Sequence, residues 1–541
     1  MIGGMIFKRA LSPTLLAGIA VWGSALALYL ATLAPSLTWG YNDTGVDGGE
    51  LLAAANTFGV PHPPGYPTYT LLLRLFATVV PIGDFAHRGN LMSAVLGSVS
   101  VALLYLVILQ LGKSLRPEGA EVVRIGSAVV GATVFAAAPL FWAQAVMTEV
   151  YTLNTVFVGA LLLIATLVVT RREHLPARRT RQAMALFGLL LGLGLGNHLT
   201  LLAVAVPLLV WLGVRIGWRN VASAWSVGAL ALGLGIYLYL PISAARNPPV
   251  NWGGADTLGG IAWMLTGRAY QDYLFGAPLR SIPGQILDLI ALVFTQLNPL
   301  GIFLGLTALA PLWARDRWFL AMSLLSIVAL GGYSLSYFTV DSEVITIPAF
   351  MLLSMWAGIG FQWVALALSD WVTGSSFGKR GALPRRLPAL GLVLIAIAAL
   401  PAASVALNYG AQDLGDDTRA LEYARGVMEL VPDGSTVLSS EEGPAFSMWY
   451  MRYVEASERD VLPVAVPLLQ FEWYWADLRE AYPSRVPPEI ATDLGVAVRR
   501  FIAHNDGTSG VYMTYRDFSL SAEFEVTQLG GVYEIRSRRA E

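Results

Sequence analysis

The stretch GVDGGELLAAANTFGVPHPPGYP, residues 45–67, brings together two carboxylates, one imidazole and several prolines. Asp47 and Glu50 are three residues apart, so on a helix they would share one face. A carboxylate pair at a helix start can accept a proton or bind a metal. The prolines around His62 supply the rigidity that a positioned acid–base group requires. This stretch is therefore the first candidate for chemistry in the chain.

A structural explanation of the same residues is open as well. Asp47 could be the N-cap of a helix and Glu50 its third residue, the reciprocal arrangement of a capping box. The segment PHPPGYP would then end that helix and start the next one at 68–80. Glu50 could act as a second acid, orient Asp47, or only cap. His62 could contact a substrate, or fix the turn by donating to a backbone carbonyl.

The composition shows which kind of chain must position these residues. The 541 residues are 55% hydrophobic and 13% charged, with a mean hydropathy of +0.58. Soluble domains carry about 25% charged residues, so a polytopic membrane protein is expected. A net charge of −2 without a large basic patch gives no support for a nucleic-acid partner. Cysteine is absent, which excludes disulfides, thiolate nucleophiles and zinc–thiolate sites.

Apolar runs of membrane length predict about eleven transmembrane helices. The basic start and long apolar run of the N-terminal segment predict a retained first span, or signal anchor. Two of the runs are short and glycine-rich, and could be half-length spans or one bent element. The predicted spans lie near 12–34, 90–112, 125–143, 149–170, 182–196, 199–214, 221–243, 286–312, 318–338, 344–368 and 388–408.

Lysine and arginine in the short loops predict the orientation. All lysines (Lys8, Lys113 and Lys379) fall in one set of loops, together with the arginine-rich segment 171–181. That set is expected to be cytoplasmic. The N-terminus is then inside, and the region after 408 is extracytoplasmic. The expected location is the cytoplasmic (inner) membrane of a bacterium.

On this map the unusual polar residues converge on the outer face, where ionisable groups near a membrane usually mark a site. Several of them have a structural alternative. Glu149 could favour a helix N-terminus, His198 could be a polar contact between helices, and Asp341 could belong to a solvated loop. The converging residues are Asp47, Glu50 and His62 in the first outer loop (35–89), Glu149, Tyr151 and Asn154, His198, Arg246 and Arg268 in a large outer loop (244–285), and Asp341.

From about residue 409 onward charge rises and the apolar runs shorten. Strands are expected at 435–440, 459–469, 510–515 and 530–537, and helices at 443–456 and 471–482. No glycine-rich phosphate loop or metal-ligand spacing is found there. The fold class predicted is an α-helical polytopic membrane protein, with a transmembrane domain over 1–408 and an extracytoplasmic α/β domain over 409–541.

Several segments resemble the GT-C superfamily of membrane glycosyltransferases, and within it a bacterial family related to the eukaryotic transmembrane protein O-mannosyltransferase. One departure from the family pattern is that ISAA separates LP from Arg246. The segments are DGGELLAAANTFGVPHPPGYPTYTLLLRLF (47–76), RGNLMSAVLGSV (88–99), FWAQAVMTEVYTLN (141–154), GLGLGNHLTLL (192–202), LYLPISAARNPPVNWG (238–253), DSEVITIPAF (341–350) and the C-terminal segment 446–474.

The resemblance implies an inverting transfer of a sugar, mannose or a similar hexose, from a polyprenyl-phosphate donor to a hydroxyl acceptor. Asp47 would take the hydroxyl proton, with Glu50 beside it. Arg246 or Arg268 would neutralise the leaving phosphate. The resemblance identifies no certain cofactor, and a divalent metal is compatible with the carboxylates but not indicated. The residues expected to bind substrate are His62, Tyr66, Glu149, Tyr151, Asn154, His198, Arg246, Arg268 and Asp341.

The partners expected are the bilayer, the lipid-linked sugar and an acceptor, first of all protein Ser/Thr. A lipid or surface-glycan acceptor is the alternative within the enzyme class. Outside that class, a lipid or glycan transporter would place its polar residues at mid-membrane in broken helices of two matching halves. A non-catalytic assembly protein would be indifferent to replacement of Asp47.

Overall fold

The computed structural model describes residues 12–40, 45–117, 120–339, 341–374, 401–507 and 509–538, with 395 and 399. Most of the described chain up to residue 374 is helical, as expected where lipid offers no partner for backbone N–H and C=O groups. Its helices are α1 (Pro13–Ala31), α2 (Gly48–Thr57), α3 (Pro67–Val79), α4 (Phe85–Leu115), α5 (Glu121–Ala136), α6 (Pro139–Ala145), α7 (Tyr151–Thr170), α8 (Ala177–Leu195), α9 (Leu202–Ile216), α10 (Trp218–Val221), α11 (Ala224–Leu234), α12 (Tyr239–Ala244), α13 (Leu258–Leu265), α14 (Ile282–Thr307), α15 (Leu309–Ser336) and α16 (Ile347–Gly374).

Within the described ranges, eight helices are long and apolar enough to cross a membrane. A ninth span results if α5 and α6, which meet at an angle of 69°, count as one. The predicted span at 388–408 lies largely outside the described residues. The fold is therefore that of a polytopic membrane protein, in agreement with the composition.

The glycine-rich stretch that allowed two interpretations forms two separate helices. The helix Ala177–Leu195 is 19 residues long. It is followed by Leu199–Ile216, a candidate span of 18 residues. The chain breaks between them at Gly196, Asn197 and His198. His198 is therefore held at the junction of two helices rather than within one.

The elements of the C-terminal region (401–538) are α17 (Arg419–Leu430), β1 (Thr436–Ser439), α18 (Glu442–Tyr453), β2 (Leu462–Ala465), α19 (Glu472–Ala481), α20 (Leu494–His504), β3 (Val511–Met513), β4 (Phe524–Leu529) and β5 (Val532–Ser537). The strands form a five-stranded mixed sheet in the order β2-β1-β3-β5-β4. Strand β1 is parallel to β2 and β3, and β5 is antiparallel to β3 and β4. The predicted strands and both predicted helices are found, whereas α17, α20 and β4 were not predicted.

Helix α18 of the C-terminal region packs directly on α2, the helix that starts beside Asp47. The backbones approach so closely that a Cβ on Gly49 would collide with the carbonyl oxygen of Phe446. Trp39 Nε1 donates to the carbonyl of Gly443 (3.2 Å), and Asn56 Nδ2 donates to that of Tyr453 (2.8 Å). The C-terminal region therefore helps to hold the first candidate residues in place.

Candidate active site

The carboxylate of Asp47 does not cap the helix that follows it. Asp47 occupies the N-cap position of α2, but its side chain accepts no capping hydrogen bond. Its side chain is 31% exposed and faces a cavity. The hydrogen bond that Asp47 would accept in a capping box is therefore not formed, and the carboxylate is free for other contacts.

Glu50 lies behind Asp47 and is fully buried. Its carboxylate accepts two hydrogen bonds from one residue, from the backbone N of His62 (3.1 Å) and from Nδ1 of its ring (2.5 Å). Because both oxygens of Glu50 are used, its carboxylate fixes the position and rotation of the imidazole. Glu50 therefore orients His62 and does not itself face the cavity.

The segment from Gly59 to Pro67 is anchored from outside and places the imidazole edge toward the cavity. Val60 N donates to the carbonyl of Val250 (2.8 Å), and Tyr239 Oη donates to that of Gly59 (2.7 Å). Tyr66 adopts a left-handed backbone conformation, φ 38°, which is uncommon for a bulky residue. Its hydroxyl lies 3.0 Å from Nε2 of His62.

Asp47 and His62 open onto a cavity of about 860 Å³. Ionisable, aliphatic and aromatic side chains all line it. The ionisable ones include Asp47, His62, His198, Asp341 and Glu442. The apolar and aromatic ones include Leu199, Ala203, Leu265, Leu330, Phe338 and Ile345, together with the tyrosines Tyr66, Tyr151, Tyr270, Tyr273, Tyr333 and Tyr337.

The electrostatics of this wall follow from its separation from bulk water. Burial raises the pKa of Asp47 to about 6, while the positive charge of His62, 3.7 Å away, acts in the opposite direction. Burial alone would lower the pKa of His62, but the carboxylates of Glu50 and Asp47 raise it to about 10. At neutral pH the site therefore holds an imidazolium beside a carboxylate whose pKa lies near the working pH.

The cavity wall is otherwise acidic. Glu442 is exposed to the cavity, where desolvation by the surrounding protein and the nearby charge of Asp47 raise the pKa of its carboxyl to about 7. Burial lowers the pKa of His198 to about 4, so this imidazole is neutral at pH 7 and its Nδ1 contacts the hydroxyl of Thr200 at 2.7 Å. Neither lysine nor arginine is among the described residues that line the cavity. The imidazolium of His62 is thus the cation of the described wall.

The structure sorts the residues expected from the sequence into three groups. Those that line the cavity are Asp47, His62, Tyr66, Tyr151, His198 and Asp341. Those that are buried without lining it are Glu50, Glu149 and Asn154. Burial and the charge of Asp47 raise the pKa of Glu149, which places this carboxyl close behind the site.

The two arginines form the third group, because neither lines the cavity. Arg246 is exposed at the end of α12, and Arg268 is exposed and donates to Oε1 of Gln271 at 2.7 Å. Their position gives no support for the expected contact with a phosphate inside the cavity.

Sequence reasoning did not find Glu442 or the tyrosines Tyr270, Tyr273, Tyr333 and Tyr337. Tyr333 and Tyr337 are four residues apart, and their rings are 5.8 Å apart at the end of α15, so their spacing was a usable signal. Glu442 is contributed by α18 of the C-terminal region. No local pattern could connect it with Asp47, because only the folded chain brings α18 and α2 together.

Asp47, Glu50 and His62 also form a donor set of the kind that holds a metal, since one ligand atom from each lies within 4.8 Å of the others. Oxygen and imidazole ligands suit several divalent cations. Coordination by Glu50 Oε2 or His62 Nδ1 would have to replace the 2.5 Å hydrogen bond between these atoms. A cation at this place would lie at the polar end of the cavity and supply positive charge there.

The described chain shares its fold with solved membrane glycosyltransferases. It superposes on ArnT from Cupriavidus metallidurans bound to undecaprenyl phosphate with a TM-score of 0.57, at 14% identity over 96% of each chain. The oligosaccharyltransferase of Archaeoglobus fulgidus tethered with an acceptor peptide gives a TM-score of 0.55, at 12% identity over 96% of this chain and 74% of that one. At such identities the likeness defines the fold.

The sequence comparison is more specific. Residues 47–222 match the model of the N-terminal domain of protein O-mannosyl-transferase TMEM260. Protein O-mannosyl-transferase TMEM260 of Mus musculus is 26% identical over 87% of this chain, and that of Dictyostelium discoideum is 23% identical over 94%. The chain spans 66% and 64% of the length of these two relatives, just under two thirds. The matched domain begins at Asp47.

Proposed function

We propose that this protein is an inverting glycosyltransferase that moves a hexose, with mannose as the first candidate, from a polyprenyl-phosphate donor to a hydroxyl acceptor, with protein Ser/Thr as the first candidate. The observation that carries the proposal is the uncapped carboxylate of Asp47, which faces the cavity beside the imidazolium of His62. The names of the two curated relatives support the sugar and the acceptor. We propose that the reaction takes place on the extracytoplasmic face, because the lysines and arginines of the loops predict that the site lies on that side.

The mixture of ionisable and apolar residues in the cavity wall suits a donor that is part lipid and part sugar phosphate. Leu330 and Tyr333 belong to the last turns of the candidate span α15, and Ala203 belongs to the span that follows His198. An isoprenoid chain between these helices would stay in an apolar environment. Its phosphate and sugar would then reach Asp47 and His62. The fold shared with ArnT, seen bound to undecaprenyl phosphate, supports this kind of donor.

The residues present can carry out one in-line displacement. Asp47, ionised at neutral pH, accepts the proton of the acceptor hydroxyl while the hydroxyl oxygen attacks the anomeric carbon. The bond from that carbon to the phosphate oxygen breaks with inversion, and the polyprenyl phosphate leaves. The imidazolium of His62 offsets the negative charge of the site. Glu50 keeps this imidazole in place from behind. A divalent cation, where bound, would add positive charge near the phosphate.

The proposal is tested with the full-length protein in liposomes that contain polyprenyl-phosphate mannose and a Ser/Thr-rich peptide. We expect mannosylated peptide whose anomeric configuration is opposite to that of the donor. Replacement Asp47→Asn should lower the initial rate by about two to four orders of magnitude, the contribution of a general base, and should leave binding of polyprenyl phosphate intact.

The matched control is Asp506→Asn, which removes an exposed carboxylate of the C-terminal region. A second arm replaces the peptide by a glycolipid, which separates a protein acceptor from a lipid acceptor. An Asp47→Asn variant that transfers at the rate of the unmodified protein would contradict the proposal. So would a product with the anomeric configuration of the donor.

A further inference from the structure

A second cleft lies between the loop 247–252 and two helices of the C-terminal region, α18 and α19. It has a volume of about 130 Å³. This volume exceeds the space that a single bound water requires, so the cleft can hold a larger ligand. None of its lining residues is among those that line the cavity of Asp47.

Aromatic rings form much of the wall of this cleft. Tyr453, Trp473 and Tyr482 are only partly buried there, and Trp449 lies deeper. Partly exposed aromatic faces at one place are the surfaces on which the C–H face of a sugar ring packs. Aromatic side chains also bring large contact areas at low entropic cost.

Two carboxylates stand beside these rings. Glu480 Oε1 accepts from Nδ2 of Asn247 at 2.6 Å, and Asp477 is hydrogen-bonded to Asn251. Each carboxylate therefore has one neutral amide partner and keeps further lone pairs for hydroxyl donors. A few fixed polar groups in a mainly aromatic cleft are typical of small-ligand sites.

Three buried polar atoms without a hydrogen-bond partner belong to residues that line this cleft. Oδ1 of Asn251, Nε1 of Trp252 and Nε1 of Trp473 are buried and have no hydrogen-bond partner. Asn251 is only 7% exposed, and unpaired buried polar groups of this kind are rare. Two of these three atoms are donors, which a quaternary ammonium ligand could not satisfy because it carries no acceptor. Hydroxyl groups both donate and accept, so a polyol fits the combination.

The cleft and the cavity are separated by a single indole. The ring of Trp252 lies 6.0 Å from that of His62 on one side and 5.6 Å from that of Trp473 on the other. A ligand in the cleft would therefore lie next to the reacting groups without touching them.

We propose that the cleft formed by Trp473, Asp477 and their neighbours is a glycan-binding subsite. It would hold one hexopyranose unit that the acceptor or the product already carries, and so keep a glycosylated chain beside the cavity. The origin of that glycan rests on the proposed transferase function, whereas the binding of a hexose does not.

The test measures sugar binding and does not require turnover. The full-length protein in nanodiscs is titrated with methyl α-D-mannopyranoside and followed by saturation-transfer difference NMR. We expect saturation of the ring protons that persists in Asp47→Asn. The dissociation constant should rise at least about tenfold in Asp477→Ala and in Trp473→Ala. The control Glu472→Ala, an exposed residue at the start of α19 outside the cleft, should bind unchanged.

Thermal unfolding of each variant shows whether it is folded. If Trp473→Ala does not fold, Asp477→Ala and Glu480→Ala carry the test. Binding that Asp477→Ala leaves unchanged would overturn the proposal. So would Asp477-dependent binding of tetramethylammonium in place of the mannoside. If the unmodified protein binds the mannoside but transfers no sugar, only the proposed transferase function is rejected. Failure of the glycan-binding proposal and failure of the transferase proposal are therefore distinguishable.

Discussion

The ring nitrogen Nδ1 of His62 lies 2.5 Å from Oε2 of Glu50, and the Glu50 side chain is fully buried. A carboxylate that is withdrawn from solvent in this way favours the charged imidazole. Most of the electrostatics of the proposed site follow from this pair, because the imidazolium in turn affects Asp47. The pair can be tested independently of catalysis.

Replacement Glu50→Gln should destabilise the fold at neutral pH by about 3–5 kcal/mol, the cost of removing one partner of a buried ion pair. The pKa of His62 is raised from 6.5 to about 10, so its stabilising contribution is full below pH 6.5 and is lost as pH rises through about 10. Thermal unfolding in detergent between pH 6 and pH 10.5 should show this decline in the unmodified protein and a much weaker one in the variant. Equal profiles would mean that the pair is not charged.

The rate of transfer should depend on the ionisation of Asp47. Because the pKa of Asp47 is raised to about 6, the rate should rise with pH up to about 6 and then level off. In His62→Gln the neighbouring positive charge is absent, so the pKa of Asp47 rises further and the acid limb moves to higher pH. Initial rates between pH 4.5 and 8.5 measure this shift. An acid limb that stays in place would contradict the assignment of Asp47 as the base.

Glu442 lines the cavity, and no hydrogen bond or ion pair to its side chain is found within the described part of the chain. Glu442→Gln should therefore change the unfolding free energy by no more than about 0.5 kcal/mol, while it alters KM for the acceptor or the pH profile. The neighbouring Glu441→Gln, exposed but outside the cavity, is the matched control and should change neither. Identical kinetics for the two variants would show that Glu442 takes no part.

Two glycine substitutions should have opposite effects, because Gly49 lies in the contact between α2 and α18 and Gly426 lies on an open helix face. Gly49→Ala places a Cβ against the carbonyl of Phe446, and should destabilise the protein by about 1–3 kcal/mol and lower transfer. Gly426→Ala lies on an exposed face of α17, where a Cβ meets no atom within 4 Å, and should stabilise by about 1 kcal/mol. Melting temperatures of both variants decide this. Equal melting temperatures would show that the two helices tolerate separation.

The sequence predicted features that depend on local pattern or on the family motif. Apolar runs predicted the polytopic membrane fold, although they predicted about eleven spans where eight or nine described helices qualify. The helix Ala177–Leu195, which contains most of the predicted span 182–196, does not qualify. The sequence did not predict the pairing of Glu50 with His62, because residues 50 and 62 meet only when the chain turns back after Phe58, whose φ of 52° is left-handed. Arg246 and Arg268 were chosen as cations of the large outer loop, and neither charge nor loop position fixes which way a side chain points.

The contacts of Trp39 and Gly49 with α18 also determine when during synthesis the site can form. When the preceding helices have been synthesised and inserted into the bilayer, the segment around Asp47 still lacks its contacts with α18. Only after the codons for residues 442–453 are read can that helix fold against α2 and complete the pocket. A premature stop before this point should therefore leave an inserted but inert protein.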